Sequence, residues 1–225
     1  MSVVEFLAAL WRERVTAIIR TDDQQRAASA MEAALRGGFR IIEFTLTIPG
    51  ALELITDFSR RPDVLVGAGT VLTAAQAQAS LRAGARFLVS PVTDEKIIAE
   101  ARAWGAAAMP GAHTPTEMMT AHAAGAPLVK LFPAPAGGPT YVQSVLAPLP
   151  FLRIVPTNGV DAGNAAAYLE AGSFAVGMVK ALFDPADMAA GRLDAIEERA
   201  RGLRRAVEKV ARPDAPPEAQ DPTRT

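Results

Sequence analysis

Only four lysines stand among the 23 basic residues of this chain, and one of them is oddly placed. Lys96 and Lys209 fall in segments patterned as helix, where lysine belongs. Lys130 falls inside the apolar run Pro127-Leu128-Val129-Lys130-Leu131-Phe132-Pro133, which reads as strand. Strand side chains alternate, so Leu128, Lys130 and Phe132 share one face, and Val129 and Leu131 share the other. An ammonium buried on such a face costs several kcal/mol unless it is paired, so the amine tends to shed its proton. A neutral amine is what attack on a ketone requires, and burial can bring a lysine pKa from ~10.4 to about 7–8. The other reading is a lysine whose stem lies along the strand end while its ammonium reaches water.

Glu43 poses the same question. Within Arg40-Ile41-Ile42-Glu43-Phe44-Thr45-Leu46-Thr47, alternation groups Ile41, Glu43 and Thr45 on one face and Ile42, Phe44 and Leu46 on the other. A carboxylate among inward positions either pairs with a cation or works as an acid/base. Lys130 is the obvious neighbour. The two form either a structural ion pair or a condensing amine with its proton shuttle, because carbinolamine formation and a carbon-acid step both need proton transfer.

Other polar residues gather at the ends of apolar runs. Arg20 follows Ile18-Ile19 and either clamps a carboxylate bidentately or stays at the surface. Val66-Gly67-Ala68-Gly69-Thr70 offers two glycines that let a ligand approach the backbone, and a hydroxyl. It is not a dinucleotide fingerprint, because no third glycine follows at the required spacing. Thr157-Asn158-Gly159 and Gly177-Met178-Val179-Lys180 close the last two apolar runs, where barrels commonly hold phosphate. His113, after the fifth apolar run, either contacts a substrate or, having no evident partner in the sequence, is incidental; His122, mid-helix, reads as structural.

These residues need a scaffold that turns strand ends toward one face. From about residue 15 to residue 183 a single unit recurs: a short apolar run, a turn, then an alanine-rich amphipathic stretch. The apolar runs are 15–19, 41–45, 64–68, 86–89, 106–109, 128–132, 153–155 and 174–176. Helical stretches include 24–36, 74–83, 94–104, 116–124 and 162–171, and several end in glycine, as at Ala83-Gly84 and Ala124-Gly125. Eight strands alternating with helices predict a parallel sheet with right-handed crossovers. An open doubly wound sheet is the alternative; eight regular units favour one closed (β/α)8 TIM barrel over residues 1–210. A short amphipathic helix is expected before the first strand and one long helix over 188–210. The basic stripe Arg201, Arg204 and Arg205 on the latter reads as a solvated face. Residues 211–225, with Pro213, Pro216, Pro217 and Pro222, are expected to be a disordered tail.

Composition narrows the chemistry. Half of the residues are hydrophobic, enough to bury a large core, and the formal net charge of −1 offers nothing to a polyanion, so no nucleic-acid partner is expected. Without cysteine there is no disulfide, thiol nucleophile or cysteine-based zinc site, and the two histidines lack metal-ligand spacing. Zinc held by histidine and carboxylates stays open on composition alone. The apolar start contains Glu5 and lacks a basic leader, and no apolar run approaches the ~18–20 residues that span a bilayer. A cytoplasmic enzyme with no membrane partner is the expectation.

The segments Ile42-Glu43-Phe44-Thr45-Leu46-Thr47-Ile48-Pro49-Gly50, Val66-Gly67-Ala68-Gly69-Thr70, Ser90-Pro91 and Pro110-Gly111-Ala112-His113-Thr114-Pro115-Thr116-Glu117 form an ordered series. Val129-Lys130-Leu131-Phe132-Pro133-Ala134 and Val155-Pro156-Thr157-Asn158-Gly159-Val160 complete it. Together they resemble the 2-keto-3-deoxy-6-phosphogluconate / 4-hydroxy-2-oxoglutarate aldolase family over roughly residues 3–183. The resemblance implies a class I aldolase releasing pyruvate, with glyceraldehyde 3-phosphate or glyoxylate as the aldehyde. It implies Lys130 as the Schiff-base lysine, Glu43 as general acid/base, Thr70 at the keto-acid carboxylate and Phe132 against the bound keto acid. Arg20 takes the carboxylate role that some members give to an arginine at the position of Thr47. Pro91, Thr157, Asn158, Gly159, Gly177 and Lys180 complete the expected substrate contacts, and a metal-free homotrimer is implied.

Two departures concern the phosphate end. Asn158 stands where the family has glycine, and Met178-Val179-Lys180 replaces glycines or serine whose amides hold phosphate. Lys180 is then either a direct phosphate partner or a solvent-facing residue. The phosphogalactonate analogue and an unphosphorylated keto acid therefore stay open as substrates, as does a non-catalytic keto-acid or sugar-phosphate binding barrel.

Overall fold

The computed structural model describes residues 1–211. The expected disordered tail falls, except for Ala211, outside these residues. Ser2 opens the first helix, α1 (Val3–Glu13): its Oγ accepts from Glu5 N while the Glu5 carboxylate accepts from Ser2 N. Then follow β1 (Val15–Ile19), α2 (Gln24–Arg36), β2 (Ile41–Thr45), α3 (Ala51–Ser59), β3 (Leu65–Gly69) and α4 (Ala74–Arg82). The chain continues through β4 (Phe87–Val89), α5 (Glu95–Ala103), β5 (Ala107–Met109), β6 (Gly111–Ala112), α6 (Pro115–Ala123) and β7 (Val129–Leu131). The last elements among the described residues are α7 (Gly138–Leu146), β8 (Ile154–Pro156), α8 (Ala165–Glu170), β9 (Val176–Met178), α9 (Pro185–Ala189) and α10 (Leu193–Glu208).

The side chains of Asp23, Thr73, Asp94, Thr114 and Asp184 accept from amides in the first turns of their helices, supplying the partners that those amides otherwise lack. The expected glycine stops hold: Gly84 (φ 106°) and Gly125 (φ 91°) leave the helix in the left-handed region.

All strand pairs are parallel, in two sheets ordered β5-β4-β3-β2-β1-β9 and β6-β7-β8. This is an α/β fold with a curled parallel sheet, and the expected unbroken eight-stranded ladder is interrupted twice. Pro110, which has no N–H to donate, separates β5, on the expected run 106–109, from β6, a short strand beyond that run, although its carbonyl accepts from Lys130 N at 2.9 Å. Between β8 and β9 there is a single bridge, Thr157 to Gly177, reinforced below by Phe174 N donating to Ile154 O at 2.8 Å.

Two cores follow from strand alternation. Ile42, Phe44, Val66, Ala68, Val129, Leu131, Val176 and Met178 face the helices and pack with their apolar stripes. Ile41, Phe87, Val89, Ala107, Met109, Leu128 and Val155 line the concave side, where Phe6 and Leu10 of α1 plug the amino-terminal end. The rings of Phe6 and Phe87 lie 4.9 Å apart. That plug leaves the carboxyl ends of the strands as the open side.

Two helices escape the sequence patterns. Both α3 and α7 begin after glycine with no side-chain cap, so neither carries a Ser, Thr, Asp or Asn start signal. The single helix expected over 188–210 is instead two, because Gly191 (φ 66°) turns the chain between α9 and α10. Its basic stripe is paired: Arg204 Nη1 reaches Glu13 at 2.9 Å, and Arg201 and Arg205 meet Glu197 and Glu198. Among the described residues, no helix is long and apolar enough to cross a membrane.

Candidate active site

Lys130 and Glu43 occupy inward positions, as alternation requires. Leu128 and Ile41, their neighbours two residues back, belong to the concave core, while Val129, Leu131, Ile42 and Phe44 belong to the outer one. Lys130 is 7% exposed and Glu43 2% exposed. The solvent-reaching alternative for Lys130 is thereby excluded.

Burial acts on the two groups in opposite directions. It pushes the Lys130 ammonium below the ordinary lysine range, partly offset by the negative charge of Glu43; the positive charge of Arg20 lowers it further. It pushes the Glu43 carboxyl above the ordinary range, offset by Lys130 and Arg20. Burial is the largest cause in each case, so each group is shifted toward its neutral form. Glu43 Oε1 is buried with no hydrogen-bond partner among the described residues, an orphan atom on the inward face of the sheet.

Arg20 extends from the end of β1 on the same inward parity as Ile18, and its Nη2 donates to Thr70 Oγ1 at 3.0 Å. Thr70 adopts φ 57°, uncommon for a β-branched residue, which turns its hydroxyl toward Arg20 at the end of β3. Lys130 Nζ lies over the ring of Phe132, 5.1 Å from its centroid. Five expected site residues thus converge: Glu43, Lys130, Arg20, Thr70 and Phe132.

The others are spread over two clefts and a buried position. Asn158, Gly159 and Lys180 line a cleft of about 360 Å³ with Val160, Asp161, Val179 and Ala181. Pro91 lines another, about 340 Å³, with His113, Glu117 and Phe132. Thr157 is buried, and its Cγ2 fills the space beside Gly177, where an added Cβ would come within 2.0 Å of it. Met178 packs against the helices and does not enter the 360 Å³ cleft; Val179 does.

The structure also revises the reading of the β3 glycines. Gly67 and Gly69 make room for the side chains of Phe87 and Glu43, not for a ligand. Asp161, a carboxylate in the wall beside Lys180, and the His113–Tyr141 stack went unread in the sequence. Asp161 accepts from Gly163 N and Asn164 N, a turn signal that is visible in Asp-Ala-Gly-Asn.

Residues 7–199 match the family model described as KDPG and KHG aldolase. The chain belongs to that family. Within the KDPG and KHG aldolases it is 37% identical to the 2-dehydro-3-deoxy-phosphogluconate aldolase of Treponema pallidum (strain Nichols), over 74% of this chain and 80% of that one. It is 38% identical to the probable 2-dehydro-3-deoxy-6-phosphogalactonate aldolase of Rhizobium meliloti (strain 1021), over 78% of this chain and 84% of that one. Its fold superposes with a TM-score of 0.78 on the KDPG aldolase of Legionella pneumophila, whose crystal structure holds pyruvate as a covalent carbinolamine. Identity there is 26%, over 88% of this chain and 97% of that one. As a KDPG/KHG aldolase this chain is a lyase acting through a Schiff base.

Proposed function

We propose that this aldolase reversibly cleaves a 2-keto-3-deoxy-6-phospho sugar acid, or 4-hydroxy-2-oxoglutarate, at Lys130. The observation that carries the reading is the buried pair itself: an amine and a carboxyl on inward positions of β7 and β2, each charge acting on the other and each group driven toward its neutral form by burial. Neutral Lys130 attacks the C2 ketone, and the carbinolamine loses water as Glu43 delivers a proton to the departing hydroxyl. The Glu43 carboxylate then takes the proton of the C4 hydroxyl. The C3–C4 bond breaks, its electrons flow into the iminium, and an aldehyde leaves behind a pyruvate enamine. Protonation at C3 and hydrolysis release pyruvate and restore the amine.

Arg20 and Thr70 hold the keto-acid carboxylate at the ends of β1 and β3, a charge-assisted contact suited to a planar oxyanion. Phe132 forms an apolar wall, and Pro91 borders it on the far side. The distal end of the substrate extends toward Thr157, Asn158, Gly159, the backbone of Gly177, and Lys180. No metal enters any step. The strand ladders close into a (β/α)8 barrel through the Pro110 and Thr157–Gly177 junctions, residues 1–210 form one domain, and the enzyme is a cytoplasmic homotrimer with no nucleic-acid or membrane partner.

Borohydride reduction in the presence of pyruvate tests the core of this reading. A pyruvate-derived mass on Lys130 is the expected result, and an unmodified Lys130 overturns the scheme. A second reading of the distal end, an unphosphorylated keto acid, is favoured by one observation: Asp161 places a carboxylate in the same wall as Lys180, beside the Val179 side chain. Pyruvate release from phosphorylated and unphosphorylated substrates, measured side by side, separates the two.

A further inference from the structure

We propose that His113 is a positioning residue of the aldolase site, holding Phe132 over the Lys130 amine through the carbonyl of Pro133. The inference rests on the Schiff-base reading of Lys130. His113 Nδ1 lies 3.1 Å from Pro133 O, and since a carbonyl only accepts, the imidazole donates there through its Nδ1–H tautomer.

The imidazole is itself held. Its ring stacks on Tyr141 with centroids 5.9 Å apart and planes inclined by 24°, and Tyr141 Oη donates to the His113 carbonyl. The Glu117 carboxylate accepts from His113 N and Thr114 N, each at 2.8 Å, fixing the backbone on which the ring stands. Three segments therefore meet at one side chain: the loop after β6, the loop after β7, and α7.

What this anchors is the residue before Pro133. The backbone ladder carries β7 upward through Lys130 N to Pro110 O at 2.9 Å and Phe132 N to Ala112 O at 3.1 Å. Pro133 has no N–H with which to continue it. The next amide, Ala134 N, turns to the opposite side, toward Thr157 O and Asn158 O. His113 supplies the missing contact on the β6 side where the ladder stops. The ring of Phe132, one residue away, is a wall of the pocket in which Lys130 must meet a ketone, and a displacement of about 1 Å there disturbs the attack geometry.

Two substitutions separate positioning from general stability. His113→Phe keeps a ring against Tyr141 and removes the donor; His113→Asn keeps a donor at the δ position and removes the ring. For pyruvate release, we expect His113→Phe to lower kcat about 5–10-fold with KM within about twofold, and His113→Asn to stay within about twofold of wild type, as the loss of one fixed hydrogen bond predicts. Wild-type kcat in His113→Phe, or equal losses in both variants that follow their melting temperatures, overturns the proposal.

A second readout needs no turnover. Lys130 is acetylated with acetic anhydride in the absence of substrate, and its labelling rate is read by mass spectrometry and corrected for the fraction of neutral amine. If Phe132 loosens, Lys130 in His113→Phe labels at least about threefold faster than in wild type or His113→Asn; equal rates overturn the role of His113. Should pyruvate fail to be trapped on wild-type Lys130, the Schiff-base reading falls while the labelling comparison still decides what His113 does.

Discussion

A methyl group on Gly69 would stand 1.8 Å from Oε1 of Glu43 and 2.6 Å from its Cδ. The glutamate reaches the cavity by passing over a residue with no side chain, one strand away in the same sheet. Gly69→Ala therefore displaces the carboxyl instead of merely filling space, at a stability cost of about 1–3 kcal/mol from overpacking. We expect the variant to fold, by circular dichroism, and to lose at least about tenfold in kcat for pyruvate release, since proton transfer by a positioned group is worth 10²–10⁴. Wild-type turnover in Gly69→Ala would show that the position of Glu43 does not matter to the reaction.

Arg20 lowers the pKa of both Lys130 and Glu43, and it is bonded to Thr70. Arg20→Gln should let both pKa values rise, moving the acid limb of the pH–rate profile for pyruvate release to higher pH. The loss of a charge-assisted contact to the keto-acid carboxylate should also raise KM about 10–100-fold. Steady-state kinetics across pH measures both effects; an unmoved acid limb removes Arg20 from the electrostatics of the amine.

Burial of the catalytic pair is expected to weaken the fold at neutral pH. Lys130 binds its proton less tightly folded than unfolded, where its pKa is about 10.4, so stability rises with pH between the folded and unfolded values. Glu43 binds its proton more tightly folded than unfolded, where its pKa is about 4.3, so stability falls as pH rises from there through the folded value. Near neutrality both groups reduce stability. The Lys130→Met/Glu43→Gln double variant should melt higher than wild type by roughly 3–10 °C, with a flatter dependence on pH, from a gain of about 1–3 kcal/mol. A lower melting point at pH 7, measured by calorimetry, contradicts this.

Lys180 and Asp161 share the distal cleft with opposite charges. If the substrate ends in phosphate, Lys180→Ala raises KM at least about tenfold for phosphorylated substrate and leaves the unphosphorylated one unchanged, and Asp161→Asn shifts preference the other way. Equal effects on the two substrates would take the distal group out of this cleft.

The inward placement of the reacting groups was legible in the chain because alternation is local. Ile41, Glu43 and Thr45 could only face one way and Ile42 and Phe44 the other, and the same holds for Lys130 between Val129 and Leu131. The helix stops at Gly84 and Gly125 were legible for the same reason, because a left-handed backbone favours glycine wherever it occurs. Where the signal was missing, so was the element: α3 and α7 start after glycine without a capping side chain.

Contacts between strands carried no such local signature. Gly67 and Gly69 looked like a path for a ligand until the ladder set Gly67 beside Glu43 on one side and Phe87 on the other, whose bulk it accommodates. His113 looked solitary until the chain brought Pro133 and Tyr141 to its ring. By itself the sequence determined the family, the parallel α/β plan and the side of each strand that carries chemistry, since these follow from residue type and a period of two. The tertiary structure alone decided which inward groups meet and how burial divides a proton between Glu43 and Lys130, since register and desolvation depend on segments far apart in the chain.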